Sequence, residues 1–311
     1  MMRIGLIGRT NLLLRTGILL NDNGFEIAFI VTSKEAPEYD ASSEDFKKFA
    51  KSLDIPFMHD PAITYDKLIS LINGEDVPLA ISINYSGVIP EDVTSLFKLG
   101  ILNAHGGDLP RYRGNACQAW AIINGEKNIG LCIHRMVGGE LDSGDILLKK
   151  IYPININTRI GEVYDWFDLD IPQMFLETVD LLEDNPAYIL ETQSKHPKDA
   201  LRCYPRMPED GKIDWSDTAE NIVRLVNASS EPYSGAFCFD AKGEVIKIWR
   251  AEIFEDDENW CGIPGQVAKI LTDETILVLT GKGKVKISLV EYQNNLQRPA
   301  RFIKSIRNRF H

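Results

Sequence analysis

The sequence predicts an α/β protein, in which a Rossmann-like, mostly parallel sheet is followed by a small β-rich, OB-like domain. Up to residue 184, short apolar segments alternate with segments of helical spacing, an order typical of βαβ units. Beyond residue 200, short strand-like segments separated by turn residues replace that alternation. The length of 311 residues suits two domains. We expect residues 1–203 to form the first and 204–311 the second.

The N-terminal half sets the alternating pattern. RIGLIG (3–8) predicts a buried strand because Ile and Leu lie between small glycines, and NLLLRTGILLND (11–22) has the spacing of a helix. Further predicted strands are FEIAFIV, PLAISIN, GILNAH, NIGLCIHRM and DILLKKIYPI. Further predicted helices are EDFKKFAKSL, DKLISLIN, QAWAII and residues 158–184.

The C-terminal part begins after a connecting stretch that contains Pro205, Pro208, Asp210 and Gly211. Its predicted strands are GAFCFD, EVIKIWRAEIF, GQVAKIL, TILVLTG and KVKISLV. The basic tail RPARFIKSIRNRFH predicts an amphipathic terminal helix packed on the protein. The chain contains no internal repeat and no low-complexity tract.

Composition narrows the classes of function. The five cysteines are scattered singly, which argues against a zinc cluster or a redox dithiol, favours a reduced cytoplasmic location and predicts no metal site. No apolar stretch is long enough to span a membrane, so no membrane partner is expected. The net charge of −11 argues against a large basic face for nucleic acid, and an anionic substrate would need local arginines. Either a monomer or a homodimer is compatible with this composition.

The stretch ILNAHGGDLPRYRG (101–114) carries the first chemical signal. Asn103 and His105 end a predicted strand, and open parallel sheets bind ligands at the carboxyl ends of their strands. Gly106 and Gly107 would let a substrate approach the backbone closely. The later segment GGELDSGDIL offers Asp142, whose carboxylate would favour a His105 imidazolium. An imidazole, an amide donor and a carboxylate together suit attack by an amine on a carbonyl.

These motifs resemble the formyltetrahydrofolate-dependent formyltransferases, in particular the sugar N-formyltransferases. The matching parts are Asn103 and His105, then Leu109-Pro110 and Arg113-Gly114, then Leu141 to Gly144, in the same order across about forty residues. PRMPEDGKIDW and the β-rich tail also resemble the second half of two-domain members. One departure is Gly106-Gly107-Asp108 after the histidine, where many relatives have Ser-Leu before Leu-Pro, so the pocket edge differs.

The resemblance implies a catalytic role for Asn103, His105 and Asp142, with 10-formyltetrahydrofolate as the formyl donor. Asn103 and protonated His105 would stabilise the oxyanion, and Asp142 would help to move the amine proton. Whether His105 acts as base or as oxyanion donor stays open. The family holds the pterin ring in a slot made largely of backbone, which implies as cofactor-binding residues Gly87, Val88, Ile89, Val137, Gly138, Gly139, Glu140 and Leu141.

Two acceptors fit the resemblance: a nucleotide-linked amino sugar, or methionyl-tRNA. We expect the sugar. The tRNA enzyme has a basic insertion after its second strand, whereas here acidic and basic residues balance, as in Lys34, Glu35, Glu38, Asp40, Glu44, Asp45, Lys47, Lys48 and Lys51. A pyrophosphate could bind at the first strand-to-helix turn, where helix N–H groups favour anions. The predicted substrate-binding residues are Arg9, Thr10, Asn11, Tyr85, Gly106, Gly107 and Arg113.

Two other functions stay open at this point. A relative that hydrolyses the folate would use water in place of the amine. A binding or regulatory module would keep the fold without the reaction, but an intact set of Asn103, His105 and Asp142 argues against it.

Overall fold

A computed structural model describes residues 2–35 and 40–311. Glu38, one of the acidic residues discussed above, lies outside this range. Nine strands precede residue 204: β1 (Arg3–Gly8), β2 (Glu26–Thr32), β3 (Phe57–His59), β4 (Leu79–Ile83), β5 (Gly100–His105), β6 (Tyr112–Gly114), β7 (Asn128–Arg135), β8 (Ile146–Pro153) and β9 (Leu201–Cys203). The helices between them are α1 (Asn11–Asp22), α2 (Ser43–Ser52), α3 (Tyr65–Ile72), α4 (Glu91–Thr94), α5 (Cys117–Ile123) and α6 (Ile160–Asp184).

The main sheet has seven strands in the order β3-β2-β1-β4-β5-β7-β8. The pairs from β3 through β5 are parallel, while β7 runs antiparallel to β5. The strands β1 and β4 are buried along almost their whole length because helices cover a parallel sheet on both faces. The prediction of a mostly parallel α/β sheet is confirmed. β6 and β9 form a separate two-stranded sheet.

The C-terminal part contains α7 (Ala219–Ala228) and the strands β10 (Ala236–Phe239), β11 (Val245–Ile253), β12 (Val267–Ile270), β13 (Ile276–Leu279), β14 (Lys284–Tyr292) and β15 (Asn295–Gln297). Five strands form an antiparallel sheet in the order β10-β11-β14-β13-β12, and β15 pairs with β14. Apolar residues of α7 and of these strands share one core, so the prediction of a small β-rich domain is confirmed.

The chain forms two compact units. The first comprises residues 1–114, 130–151 and 166–202, and the second comprises 115–129, 152–165 and 203–311. Two segments from the N-terminal half therefore belong to the same unit as the C-terminal sheet. The division of the sequence at residue 203 stays a prediction.

The terminal helix predicted for RPARFIKSIRNRFH is wrong. Pro299–Arg301 forms one turn of 3₁₀-helix, and the rest of the tail is irregular. The backbone at Arg309 pairs with Gln266 in an antiparallel bridge instead of continuing a helix. Ile303 and Phe310 are buried in the core of the second unit, so apolar anchoring replaces helix formation.

No helix was predicted at α4 or α7, and no strand was predicted at β3, β6, β9 or β15. α7 has a local start signal, because the Thr218 hydroxyl accepts a hydrogen bond from the Asn221 N–H at 3.2 Å. The preceding stretch with Pro205, Pro208 and Asp210 is typical of a loop, so no helix was predicted there. Within the described part of the chain, the longest helix is α6, and none has the length and hydropathy of a bilayer-crossing segment.

Ala116 provides a test of the turn that leads into α5. It precedes the helix with a φ of 52°, a left-handed conformation that costs an L-residue with a Cβ about 1 kcal/mol. We expect Ala116→Gly to raise the urea midpoint of the full-length protein, because glycine adopts this conformation freely. Ala119→Gly, inside the same helix, should lower the midpoint, because glycine destabilises a helix interior by about 1 kcal/mol relative to alanine. A lower midpoint for Ala116→Gly would show that the strain is absent.

Candidate active site

Asn103 and His105 lie at the carboxyl end of β5, as the sequence predicted. Residues two apart in a strand project to the same face, so the two side chains face one environment. β5 is flanked by the parallel strand β4 and the antiparallel strand β7, which places this end inside the sheet rather than at its edge. The His105 side chain is only 7% exposed.

Asp142 lies in the loop between β7 and β8 and meets these residues. Its Oδ2 atom is 3.4 Å from His105 Nδ1 and accepts a hydrogen bond of 2.9 Å from the Gly114 N–H. Asp142 has a φ of 47°, a left-handed conformation that aspartate tolerates better than most residues. The structure thus brings together groups that are separated by about forty residues in the chain.

A second histidine, His134, completes the cluster and was missed by the sequence reading. It lies on β7 directly opposite Asn103 on β5, and its side chain is 2% exposed. Its Nε2 atom is 3.2 Å from Asn103 Nδ2 and 3.5 Å from Asp142 Oδ1. A histidine inside an otherwise apolar strand, NIGLCIHR, was the signal that could have indicated it.

The His105 ring is fixed by the backbone. Its Nε2 atom lies 2.6 Å from the Tyr112 carbonyl oxygen, which can only accept, so Nε2 carries a proton and donates it. Gly107 permits this contact, because a Cβ there would overlap both the Tyr112 carbonyl and His105 Nε2. In the neutral ring, Nδ1 is then the basic nitrogen, and it faces Asp142.

The expected His105 imidazolium is not favoured by this environment. Burial lowers the pKa of His105 below its ordinary value, and His134 lowers it further, which together outweigh the attraction of Asp142. Near neutral pH the ring is therefore uncharged. Sequence reasoning considered only the carboxylate and could not weigh the desolvation of a ring that is enclosed on all sides.

Asp142 is ionised. Burial acts to raise its pKa, but the neighbouring rings of His134 and His105 and the Gly114 N–H hold the pKa at about 2. An anionic carboxylate beside a neutral imidazole forms a pair that can take up one proton. That combination suits general base catalysis.

The backbone of Asp142 is held by Gln193, a buried residue that the sequence reading also missed. Gln193 Nε2 donates to the carbonyl oxygens of Asp142 at 3.0 Å and Gly144 at 2.6 Å. Its Oε1 accepts a hydrogen bond of 2.8 Å from Arg113. Arg113, predicted to bind substrate, thus belongs to the support of the Asp142 loop. No local sequence pattern marks Gln193.

The β1–α1 turn contains the predicted residues Arg9, Thr10 and Asn11. Arg9 donates from Nε to the Asn84 carbonyl at 2.9 Å and from a terminal nitrogen to the Lys34 carbonyl at 3.1 Å, so it braces neighbouring loops. Thr10 is 7% exposed, and its hydroxyl has no hydrogen-bond partner among the described residues. It does not cap the helix through its side chain. Asn11 is exposed at the first position of α1.

The residues predicted for the cofactor form two adjacent loops. A Cβ on Gly138 would overlap the backbone of Glu91, so the 137–141 loop packs closely against the start of α4, which follows residues 87–89. Val88 is 82% exposed, and Val137 and Leu141 are also exposed, whereas Ile89 is buried. Exposed, neighbouring apolar side chains of this kind are typical of a ligand-binding surface.

The same end of the sheet contains Tyr85, Gly87 and Asp108. The Tyr85 hydroxyl donates to the Asp60 carbonyl at 2.8 Å, and a Cβ on Gly87 would overlap the Pro61 carbonyl oxygen. Asp108, the departure noted in the sequence, forms an ion pair with Lys149. This ion pair joins the loop after β5 to β8.

Comparisons with known proteins match both parts of the chain. A family model described as "Formyl transferase" matches residues 10–179, and one described as "Formyl transferase, C-terminal domain" matches residues 206–307. The methionyl-tRNA formyltransferase of Syntrophus aciditrophicus is 32% identical over 282 residues, which cover 89% of this chain and 86% of that protein.

Two solved structures share the fold. An N-formyltransferase from Helicobacter canadensis, in complex with folinic acid and dTDP-3-aminofucose, has a TM-score of 0.67 at 17% identity and covers 92% of this chain and 99% of its own. HypX from Aquifex aeolicus, in complex with tetrahydrofolic acid, has a TM-score of 0.60 at 21% identity over 98% of this chain. This chain spans about half of HypX, 47% of its length.

The state of His105 can be measured directly. In a ¹³C-histidine NMR titration, we expect the midpoint of the His105 titration to lie below pH 6.5. His105→Gln assigns the signal. The unfolded chain binds this proton at higher pH than the folded protein, so acidification below pH 6.5 lowers the free energy of unfolding. His105→Gln removes this titration, so Tm should depend less steeply on pH in that range. Titration above pH 6.5 would contradict the assignment.

Proposed function

Because the chain belongs to the formyl transferase family, we propose that it moves a formyl group from 10-formyltetrahydrofolate to the amine of a nucleotide-linked amino sugar. The observation that carries the reaction is the cluster of Asn103, His105 and Asp142 at the carboxyl end of β5. The cluster contains an amide donor, a neutral imidazole and an anionic carboxylate. Transfer of a formyl group from one nitrogen to another requires groups of these kinds.

The folate fits the two loops beside the cluster. Residues 87–89 and 137–141 offer exposed apolar side chains over closely packed backbone, a surface suited to a flat ring. Both solved relatives described above contain a folate in related folds. When bound there, the folate supplies the formyl group.

The residues of the chain divide the chemistry between them. Asn103 donates an N–H group to the formyl oxygen, where negative charge grows as the amine attacks the carbon. Asp142 relays the amine proton to His105 Nδ1, 3.4 Å from its Oδ2 atom, and His105 holds that proton. The resulting imidazolium is stabilised by the carboxylate, and the proton then leaves with the departing folate nitrogen. In this proposal His105 acts as base, and Gly106, directly after β5, leaves room for the acceptor.

The first turn of α1 supports a phosphorylated acceptor. The first N–H groups of a helix lack partners within the helix and attract anions. Beside them, the buried Thr10 hydroxyl has no partner among the described residues, an arrangement that costs stability unless a ligand completes it. A pyrophosphate would accept hydrogen bonds from Thr10 and from the backbone at Asn11.

Surface charge also favours the sugar over tRNA. On α2, Lys47 lies 3.8 Å from Glu44 and Lys48 lies 3.7 Å from Asp45, so two of the three lysines of this helix are paired with carboxylates. In the tail, Arg301 pairs with Glu274. Phosphate backbones require uncompensated cations.

Methionyl-tRNA is the second candidate acceptor. The specific observation in its favour is the similarity to methionyl-tRNA formyltransferases along most of the chain, as in the Syntrophus relative. The two acceptors share the same donor chemistry, so only an acceptor assay separates them.

Removing either member of the proton-accepting pair should abolish most turnover. We expect His105→Gln and Asp142→Asn each to lower kcat by roughly a hundredfold or more, since positioned acid–base groups contribute about that much. The protein should stay folded by circular dichroism. The exposed residues His311 and Asp184 provide matched controls, His311→Gln and Asp184→Asn, which should retain wild-type turnover. Near-normal kcat in either site variant would refute the assigned roles.

The acceptor prediction uses a panel of amino-sugar nucleotides and methionyl-tRNA. We expect formyl transfer to one member of the sugar panel and none to the tRNA. Thr10→Val should raise KM for that sugar nucleotide by about tenfold, because it removes a hydrogen bond to the ligand. It should not lower Tm, because it also removes a buried hydroxyl that has no partner among the described residues.

Thr16→Val provides the control for Thr10→Val. Thr16 is buried in the same helix, but its hydroxyl donates to the Leu12 carbonyl at 2.7 Å, so KM should not change. Formylation of methionyl-tRNA, with affinity that falls steeply as salt rises, would establish the second candidate. Folate hydrolysis independent of any acceptor would refute both.

A further inference from the structure

We propose that His134 is a positioning residue that holds the Asn103 amide in the orientation needed to donate to the formyl oxygen. This inference rests on the proposed formyl transfer, in which Asn103 is the donor. His134 lies outside the motif that marks the family resemblance, and it makes no contribution of its own to bond making or proton transfer in the mechanism above.

The geometry begins with the strand pairing. Asn103 on β5 and His134 on β7 are directly opposed in an antiparallel register, where side chains of opposed residues lie close together. His134 is 2% exposed, so water does not compete for its ring nitrogens. The 3.2 Å separation of Asn103 Nδ2 and His134 Nε2 is within hydrogen-bond range.

The backbone fixes which nitrogen of His134 carries the proton. Its Nδ1 atom is 2.9 Å from the Arg135 carbonyl oxygen, and a carbonyl can only accept, so Nδ1 is the protonated nitrogen. With the proton on Nδ1, Nε2 presents a lone pair to the Asn103 amide. Only a donor can satisfy it, and of the two ends of the Asn103 amide only the nitrogen is a donor.

Asn103 is therefore prevented from turning its amide over. With the oxygen facing His134, two acceptors would meet in a buried site, which is costly. With the nitrogen facing His134, one N–H is engaged and the second remains for the formyl oxygen. The Asp142 Oδ1 atom, 3.5 Å from the same Nε2, is farther away than the amide, and the His105 ring lies 6.1 Å away between centroids.

The test compares His134→Leu, which removes the acceptor, with His134→Gln, whose side-chain oxygen can accept near the position of Nε2. We expect His134→Leu to lower kcat by about tenfold to thirtyfold, with KM for donor and acceptor changed by less than about twofold. His134→Gln should recover kcat to within about threefold of wild type, because it restores the acceptor. His311→Leu, an exposed control, should have no effect.

A double-mutant cycle separates positioning from a general structural role. In an Asn103→Ala background, His134→Leu should cost less than about twofold in kcat, because the amide that it positions is gone. Equal losses in both backgrounds, or a His134→Gln variant as impaired as His134→Leu, would overturn the proposal.

An NMR measurement tests the inference independently of the acceptor. The Asn103 side-chain NH₂ signals should be well resolved in wild type and in His134→Gln, and shifted or averaged in His134→Leu. If the protein turned over no acceptor, the proposed function would fail while this result could still support the contact. Unchanged NH₂ signals in His134→Leu would overturn it whatever the activity.

Discussion

The buried carboxylate of Asp142 is the constraint on which the site depends. An ionised group that is 12% exposed must be held by polar partners, and here a backbone N–H donates to it directly. His105 and His134 face its two oxygens, the Gly114 N–H donates to one of them, and Gln193 holds its backbone carbonyl. Because these partners come from β5, β7, β6 and the segment before β9, satisfying one charge fixes the relative positions of four chain segments.

That arrangement also separates the roles of two chemically identical rings. Each histidine has one nitrogen tied to a backbone carbonyl, Nε2 to Tyr112 in His105 and Nδ1 to Arg135 in His134. The opposite choice of nitrogen leaves His105 with a basic nitrogen toward Asp142 and His134 with one toward Asn103. The backbone therefore determines which ring can serve proton transfer and which can orient a neighbour.

The sequence predicted the elements whose signals are local. α1 has exactly the predicted bounds, and Asn103 and His105 end β5 as expected, since apolar periodicity and a strand end are visible in a few residues. His134, Gln193 and the neutral state of His105 depend on contacts between distant segments, which periodicity does not encode. The helix predicted for the tail was wrong because the pairing of Arg309 with Gln266 depends on a segment about forty residues away, which an amphipathic pattern does not reveal.

The interleaving of the two compact units has a consequence for synthesis on the ribosome. Residues 115–129 and 152–165 are made before residues 203–311, with which they form one unit. At translation rates of about 5–20 residues per second, these early segments wait on the order of ten seconds for the rest of their core. During that interval Ile156, which packs against the core of the second unit, has no completed core to contact and is exposed to chaperones and to aggregation.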